Sequence, residues 1–248
     1  MGFTYYGDLL GISGYYQLGW DVAYSKLNFF YNETFSIFNK FADYDRESKI
    51  SMFSDSLLIT GCRKELKNIL KNLQKLYINL LKKGMLLKGA VVKGKLEYDQ
   101  RLTRDDFQKQ LPNSDCLARA VWLGSRQKGA RLLIENSLID KLLKSIPEWK
   151  TIEGYNGNLY NEINKNDILR RICPTPDNNF YELLYAWVEI EPDTMEENSI
   201  IKILEHNSKM LDKKYAIHYK ETINLIKRCN YRKNFTEQYF RSRNGINR

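Results

Sequence analysis

Two aspartates are placed where carboxylate chemistry can be built. Asp8 closes the aromatic and apolar run from Phe3 to Leu10 and is followed by Gly11, Ile12, Ser13 and Gly14. Asp55 lies between Ser54 and Ser56 in KISMFSDSLLIT, residues 49–60. The first segment reads as a strand that passes through a flexible turn into a helix, and the second as a β-hairpin with a polar tip. In a ferredoxin-like sheet the end of the first strand and the tip of the following hairpin are neighbours, which would set the two carboxylates side by side. Such a pair repels unless a cation neutralises it, and hard oxygen donors select magnesium or manganese. The turn from Leu10 to Gly14 would offer backbone N–H groups and a helix N-terminus to the phosphates of a nucleotide. Alone, either aspartate is more often a cap or a turn former; together they describe a metal–triphosphate site.

Other chemistries are short of residues. With only His206 and His218 in 248 residues, a zinc enzyme or a catalytic-triad hydrolase is not expected. Cys62, Cys116, Cys173 and Cys229 are scattered without the close pairs of a zinc or dithiol site, and are expected to be reduced, buried thiols. The formal net charge of +9 is concentrated at the C-terminal end, where residues 202–248 hold 12 basic against 4 acidic residues. The basic tail lacks the interleaved aromatics of a nucleic-acid surface, so nucleic acid is not expected as a partner. No window reaches the ~18 apolar residues of a membrane span, and Asp8 falls where a secretory signal needs an apolar core. A cytoplasmic protein without membrane contact is the expectation.

The elements that must position the aspartates follow from periodicity. Leu18, Val22, Leu27, Phe30, Phe38 and Phe41 recur at helical intervals from Tyr15 to Phe41. Between Arg63 and Lys83, Leu66, Ile69, Leu70, Leu73, Leu76, Tyr77, Leu80 and Leu81 share one helix face, lysines occupy the other as a solvated surface, and Gly84 is the stop. MLLKGAVVKGKLEY, residues 85–98, reads as a strand or hairpin interrupted by Gly89 and Gly94, where a neighbouring backbone or a ligand can approach. After a polar loop from Asp99 to Ser114 come a helix from Asp115 to Gly129, a short strand ARLLIE and a helix from Ser137 to Ser145. The order β, α, β-hairpin, α, β, α, β predicts an α+β ferredoxin-like fold, an antiparallel or mixed sheet with helices packed on one face. Residues 1–146 are read as the catalytic domain and 147–248 as a C-terminal extension packed on it. That extension is expected to hold loops at GYNGNLYNEINKN and CPTPDNN, one strand from Phe180 to Glu191, a helix from Asn198 to Cys229 and a disordered tail.

YYGDLLGISG resembles the first metal-binding strand of class III nucleotide cyclases, FSDSLLIT their second-metal hairpin, and LLKGAVVKGKLEYD the glycine-marked strand pair that follows, in the family's order. The FSDS hairpin and SDCLARAVWLGSRQKGARLLIEN, residues 114–136, resemble the bacterial pyrimidine cyclases of the Pycsar antiphage system; KKYAIHY, residues 213–219, is weakly similar to their C-terminal region. Short aspartate motifs of this kind also occur in GGDEF and CRISPR polymerase-like domains. The resemblance implies a class III cyclase fold and two Mg2+ or Mn2+ ions per site on Asp8, Asp55 and the Leu9 carbonyl. It also implies that Gly11, Ile12 and Ser13 line the triphosphate. The products would be pyrophosphate and a 3′,5′-cyclic nucleotide such as cUMP or cCMP, a second messenger read by a downstream effector in antiphage defence. Each site would be shared across a homodimer.

Where purine cyclases carry a base-reading lysine this chain has Ser51, with Phe53 near enough to stack on a base, so a pyrimidine triphosphate is the expected substrate. The asparagine and arginine that stabilise the transition state in many cyclases map onto Ala118 and Trp122, leaving Arg119 or Arg126 to supply positive charge. Two other readings fit the same motifs: a polymerase-like enzyme joining nucleotides into cyclic or linear oligonucleotides, and a non-catalytic nucleotide-sensing module.

Overall fold

The apolar N-terminal run forms β1 (Gly2–Leu10), the strand around which the rest assembles. The computed structural model describes residues 2–42, 48–99, 112–139, 150–152, 168–175, 178–183 and 195–227. The other strands are β2 (Lys49–Phe53), β3 (Ser56–Cys62), β4 (Leu86–Lys93), β5 (Leu132–Glu135), β6 (Lys150–Ile152), β7 (Ile168–Thr175) and β8 (Asn178–Leu183). The helices are α1 (Ile12–Leu18), α2 (Trp20–Ala42), α3 (Leu66–Lys82), α4 (Cys116–Ser125), α5 (Met195–Met210) and α6, residues 213–227. The strands form one mixed sheet in the order β2-β3-β1-β4-β5-β8-β7-β6. β1 is antiparallel to both β3 and β4, β4 is parallel to β5, and β8 is antiparallel to β5.

Side-chain alternation divides β1 between two faces. Phe3, Tyr5 and Leu9 join the larger core, into which α3 buries every apolar position expected of it. Thr4, Tyr6 and Asp8 point the other way, toward the face on which α4 packs over Ala90, Val92 and Leu133 through Cys116, Ala120 and Leu123. The helices are thus divided between both faces rather than confined to one. α4 lies over β4, β1 and β5, and among the described residues no helix covers the same face of β2 and β3. Close packing at the centre depends on Gly89: a Cβ there would stand 2.6 Å from the Tyr6 carbonyl and 2.7 Å from the Tyr5 hydroxyl. The close approach expected at Gly89 comes from the Tyr5 ring and the β1 backbone, and β4 runs through this residue as one continuous strand.

Several expected boundaries move. The helix expected from Tyr15 begins at Ile12 and breaks at Gly19 into two, and in α2 the buried residues include Ala23, Phe30 and Phe38 while Val22 is exposed. Aromatics on both faces of α2 conceal which stripe is internal. The helix expected to reach Gly129 ends at Ser125, and the final helix divides into α5 and α6 at residues 211 and 212. In the extension, β6 and the first part of β7 form where no element was expected, so the described residues there carry three strands rather than one. CPTPDNN is largely strand, with Cys173–Thr175 ending β7 and Asn178 and Asn179 opening β8. Residues 140–145, 153–167, 184–191 and the tail beyond Tyr231 lie outside the described residues. Cys116 is a free, buried thiol, whereas Cys62 is only half-buried and bonds to Glu65 Oε1 at 2.7 Å. Among the described residues no helix is long and apolar enough to cross a membrane.

Candidate active site

The register of the β1–β3 ladder places Asp8 opposite Ser56, and the tip of the β2–β3 hairpin is fastened to β1 by a backbone bond from Leu9 N–H to the Asp55 carbonyl at 2.9 Å. One hydrogen bond thus holds both aspartates at the same end of the sheet, as their sequence contexts predict. At the tip Ser54 takes φ +54°, a left-handed conformation uncommon for a residue with a side chain and of the kind that gathers at functional sites. Ser56 Oγ donates to Asp8 Oδ1 at 3.1 Å and pairs with the Tyr6 hydroxyl at 3.0 Å.

Burial first and the neighbouring Asp55 second push the Asp8 carboxyl up to about 6, against the opposing pull of the Ser56 hydrogen bond and Lys88. Burial also raises the Tyr6 hydroxyl, with Asp8 and Asp55 adding to it and the Ser56 bond opposing. A half-buried carboxyl raised by burial and by a neighbouring carboxylate is a place where a cation would be favoured. Among the described residues no group of three or more histidine, cysteine, aspartate or glutamate side chains gathers, so a metal here would complete its shell from backbone carbonyls such as that of Leu9 and from ligand oxygens.

The chain leaves β1 through Gly11, whose φ of +86° is a left-handed turn that favours glycine, and its carbonyl accepts from the N–H groups of Gly14 and Tyr15. Those are the first intrahelical bonds of α1, so the amides of Ile12 and Ser13 precede them. The Ile12 side chain is packed in the core, which leaves only its backbone for a ligand. α1 has seven residues, so the turn amides rather than a long helix dipole are what this position offers. The Ser13 hydroxyl is hydrogen-bonded to the hydroxyl of Tyr215 on α6, a residue 202 positions away.

Ser51 and Phe53 share the Asp8 face of the sheet through their pairings with Leu58 and Ser56. Ser51 lines a cavity of about 370 Å³ with Lys49, Thr60, Tyr98 and Asn113, and Phe53 projects from the open face with 84% of its surface exposed. The two arginines go to different ends. Arg119 ion-pairs with Glu135 and with Asp115 at 3.1 Å, and donates to the Lys93 carbonyl at 2.6 Å. This is where β1 begins, six residues from Asp8 and therefore about 20 Å away. Within one chain the structure does not bring Arg119 to the aspartates. Arg126 follows α4, whose Gly124 lies over Gly89; its guanidinium stacks 4.3 Å from the centre of the Trp122 ring, itself 52% exposed.

Three residues at the Asp8 end went unread in the sequence. Lys88 sits directly opposite Asp8 on β4; Lys128 acts on it electrostatically, and both lysines act on His218. Lys88 left a weak sign, a lone charge inside the apolar run LLKGAVV; His218 lies in KKYAIHY, whose weak resemblance gave no hint that folding carries α6 to this end.

No family model and no curated protein sequence matches the chain. Solved structures do resemble it. A bacterial light-regulated adenylyl cyclase superposes with a TM-score of 0.51 at 8% identity, over 85% of this chain and 57% of that one. The chain thus spans little more than half of that protein. The guanylyl cyclase domain of the RhoGC fusion protein from the aquatic fungus Blastocladiella emersonii, a double mutant, gives 0.51 at 11% identity over 73% of this chain and 93% of that chain. The guanylate cyclase domain of RhGC from Catenaria anguillulae in complex with GTP gives 0.51 at 10% identity with the same coverage. The chain has the mixed α+β fold of class III nucleotide cyclase domains.

Proposed function

We propose that this chain is a nucleotide cyclase that converts a nucleoside triphosphate to a 3′,5′-cyclic nucleotide and pyrophosphate. The observation that carries the reading is the Asp8–Asp55 pair, held by the Leu9–Asp55 backbone bond at the end of β1. The donor set fits divalent metal, since burial and Asp55 disfavour the charged form of Asp8 and the groups offer only hard oxygens. Bound on Asp8, Asp55 and the Leu9 carbonyl, two Mg2+ or Mn2+ ions would acidify the ribose 3′-hydroxyl and neutralise the triphosphate. The protein's own part is positioning: the Gly11 turn offers the amides of Ile12 and Ser13 to phosphate oxygens, and the hairpin holds its aspartate against β1.

The face of β2 and β3 that no described helix covers suits a second copy of the chain, related by a two-fold axis, whose α4 would bring the exposed Val121 and Trp122 onto it. Arg126, stacked on Trp122, is then the cation that reaches the partner's phosphates, whereas Arg119 is committed to Glu135 and Asp115. The cavity beside Ser51 would take the base. With a small hydroxyl in place of a lysine, it favours UTP or CTP, and cUMP or cCMP would serve as a second messenger in antiphage defence, read by a separate effector.

The deciding experiment is incubation with each of the four NTPs and manganese. A cyclic mononucleotide with pyrophosphate, made fastest from UTP or CTP, is the expected result; a dinucleotide would point to a polymerase-like enzyme. Absence of product would favour a nucleotide-sensing module, a second reading that rests on Ala118 and Trp122, since both sit on the exposed side of α4 and neither carries a charge.

A further inference from the structure

α2 carries more aromatic side chains than its core contacts use. Phe30 and Phe38 are buried with Ala23 in the larger core that α3 also lines. Trp20, Tyr24, Tyr31 and Phe35 stay outside it. With Asn28 among them they follow one another at steps of four, four, three and four residues, which keeps all five within a sector of roughly 80° along one side of the helix. Tyr16 extends the row across the break at Gly19: its ring stacks on Trp20 with centroids 5.8 Å apart, and Trp20 stacks on Tyr24 at 5.7 Å. The five aromatic residues are between 38% and 70% exposed. At about 150–250 Å² for a fully buried aromatic, they hold roughly 400–650 Å² in water, as much as the largest apolar patch of an ordinary monomer.

The order of the stripe points to its occupant. Read from either end it gives a large ring, a tyrosine, an asparagine, a tyrosine and a large ring. A two-fold axis beside Asn28 that lays α2 antiparallel on a second α2 therefore sets Trp20 against the partner's Phe35 and Tyr24 against the partner's Tyr31, over a contact about 22 Å long. Asn28 then meets its own copy. Asn32 Nδ2 donates to Asn28 Oδ1 at 3.4 Å, and Asn28 Nδ2 can donate in turn to the partner's Asn28, the kind of polar pair that fixes register in an apolar seam. Charge agrees with this occupant. The exposed edge of the stripe holds Asp21, Ser25, Asn32, Ser36 and Asn39, and the two Asp21 carboxylates would lie about 20 Å apart at opposite ends. Lys26 is engaged elsewhere, donating to the Lys83 carbonyl at 3.1 Å and lying 5.4 Å from the centre of the Tyr15 ring. The edge thus lacks the basic side chains that a nucleic acid or an anionic membrane requires.

We propose that α2 is a homotypic docking surface, through which two copies of the chain join by antiparallel packing along Trp20, Tyr24, Asn28, Tyr31 and Phe35. The aromatic residues of both copies supply about 800–1,300 Å², the range in which specific interfaces begin. Stacking already holds Tyr16, Trp20 and Tyr24 against one another, so little side-chain freedom is lost on contact. α2 packs on the side of the sheet away from α4, so this surface is separate from the contact invoked for the active site and independent of the cyclase reading. A chain using both two-fold contacts assembles beyond a dimer.

The test is sedimentation velocity of the full chain across the micromolar range, comparing wild type with Trp20→Lys, Phe35→Glu and the variant carrying both. Association reads as monomer to dimer, or as dimer to tetramer where the α4 contact also forms. All three variants change exposed side chains, so the fold should persist, as circular dichroism and the melting temperature will show. Each single substitution is expected to weaken the association at least about a hundredfold, because the two-fold axis repeats its effect. The double variant should recover most of that loss, since antiparallel pairing sets the introduced cation of one copy against the introduced anion of the other. Under mild oxidation Asn28→Cys should give a covalent dimer and Ser25→Cys, on the polar edge, should not. Unchanged association in the single variants, absence of rescue, or equal cross-linking of the two cysteine variants overturns the antiparallel pairing. A wild type that shows neither step of association overturns the docking surface, and its capture by phosphatidylcholine vesicles would assign the stripe to a lipid surface instead. None of these readouts involves nucleotide turnover, so failure here leaves the cyclase reading standing.

Discussion

Two clusters of charged side chains at the same sheet have opposite electrostatic characters. Where β5 meets β8, Arg131 and Glu182 pair at 2.5 Å with side chains 3% and 0% exposed, and Glu221 of α6 approaches Arg131 at 3.7 Å. Opposite charges there answer one another inside the protein. At the end of β1, Asp8 and Asp55 stand together and burial pushes the Asp8 carboxyl up to about 6. The first arrangement holds the fold together and needs nothing else. The second is costly by itself, and on the proposed reading a cation would relieve it, which is how a binding site would differ from a structural ion pair.

Substitutions should separate the two. The largest expected effect is on turnover: Asp8→Asn or Asp55→Asn lowers cyclic nucleotide formation at least about a thousandfold, equivalent to about 4 kcal/mol of barrier. Melting temperatures should be equal to or above wild type, because the repulsion is gone. Near-wild-type rates in both variants would reduce the aspartates to turn formers. Arg131→Met should do the reverse. It strands Glu182 in the interior and should cost about 3–5 kcal/mol in urea unfolding. A loss below about 1 kcal/mol would mean that the pair is not the structural counterpart described here.

A smaller effect concerns pH. The folded Asp8 carboxyl holds its proton to about pH 6, against 3.8 for an ordinary aspartate. Between those values the folded state binds more protons than the unfolded state, so the metal-free protein loses stability as pH rises from about 4 to about 6. After allowance for the partial exposure of Asp8, the step is about 1–2 kcal/mol. Denaturant midpoints measured across that range should show the step in wild type and not in Asp8→Asn. Saturating Mn2+ should raise the wild-type midpoint more at pH 7 than at pH 5, since metal and proton compete for the carboxylate. Smallest of all, Ser51→Lys should erode a pyrimidine preference by about tenfold or less in four-way NTP competition, leaving Mn2+ affinity unchanged. A preference for ATP or GTP in the unsubstituted protein would remove the base assignment without touching the comparison between the two clusters.

Local periodicity determined much of this by itself. The face of α3 is written in leucine spacing, the hairpin around Asp55 in two short apolar arms, and the end of β1 in the glycine that follows it, because each feature depends on residues a few positions apart. The strand β7 stayed hidden because CPTP reads as a loop when its partner β8 is not yet in view. Tertiary structure alone decided that Arg119 is spent on Glu135, that Lys88 faces Asp8, and that α6 reaches Ser13 across 202 residues. Charge satisfaction is a property of neighbours in space. A sequence names which side chains can carry charge, but only the folded register shows which of them have been answered and which still require a ligand.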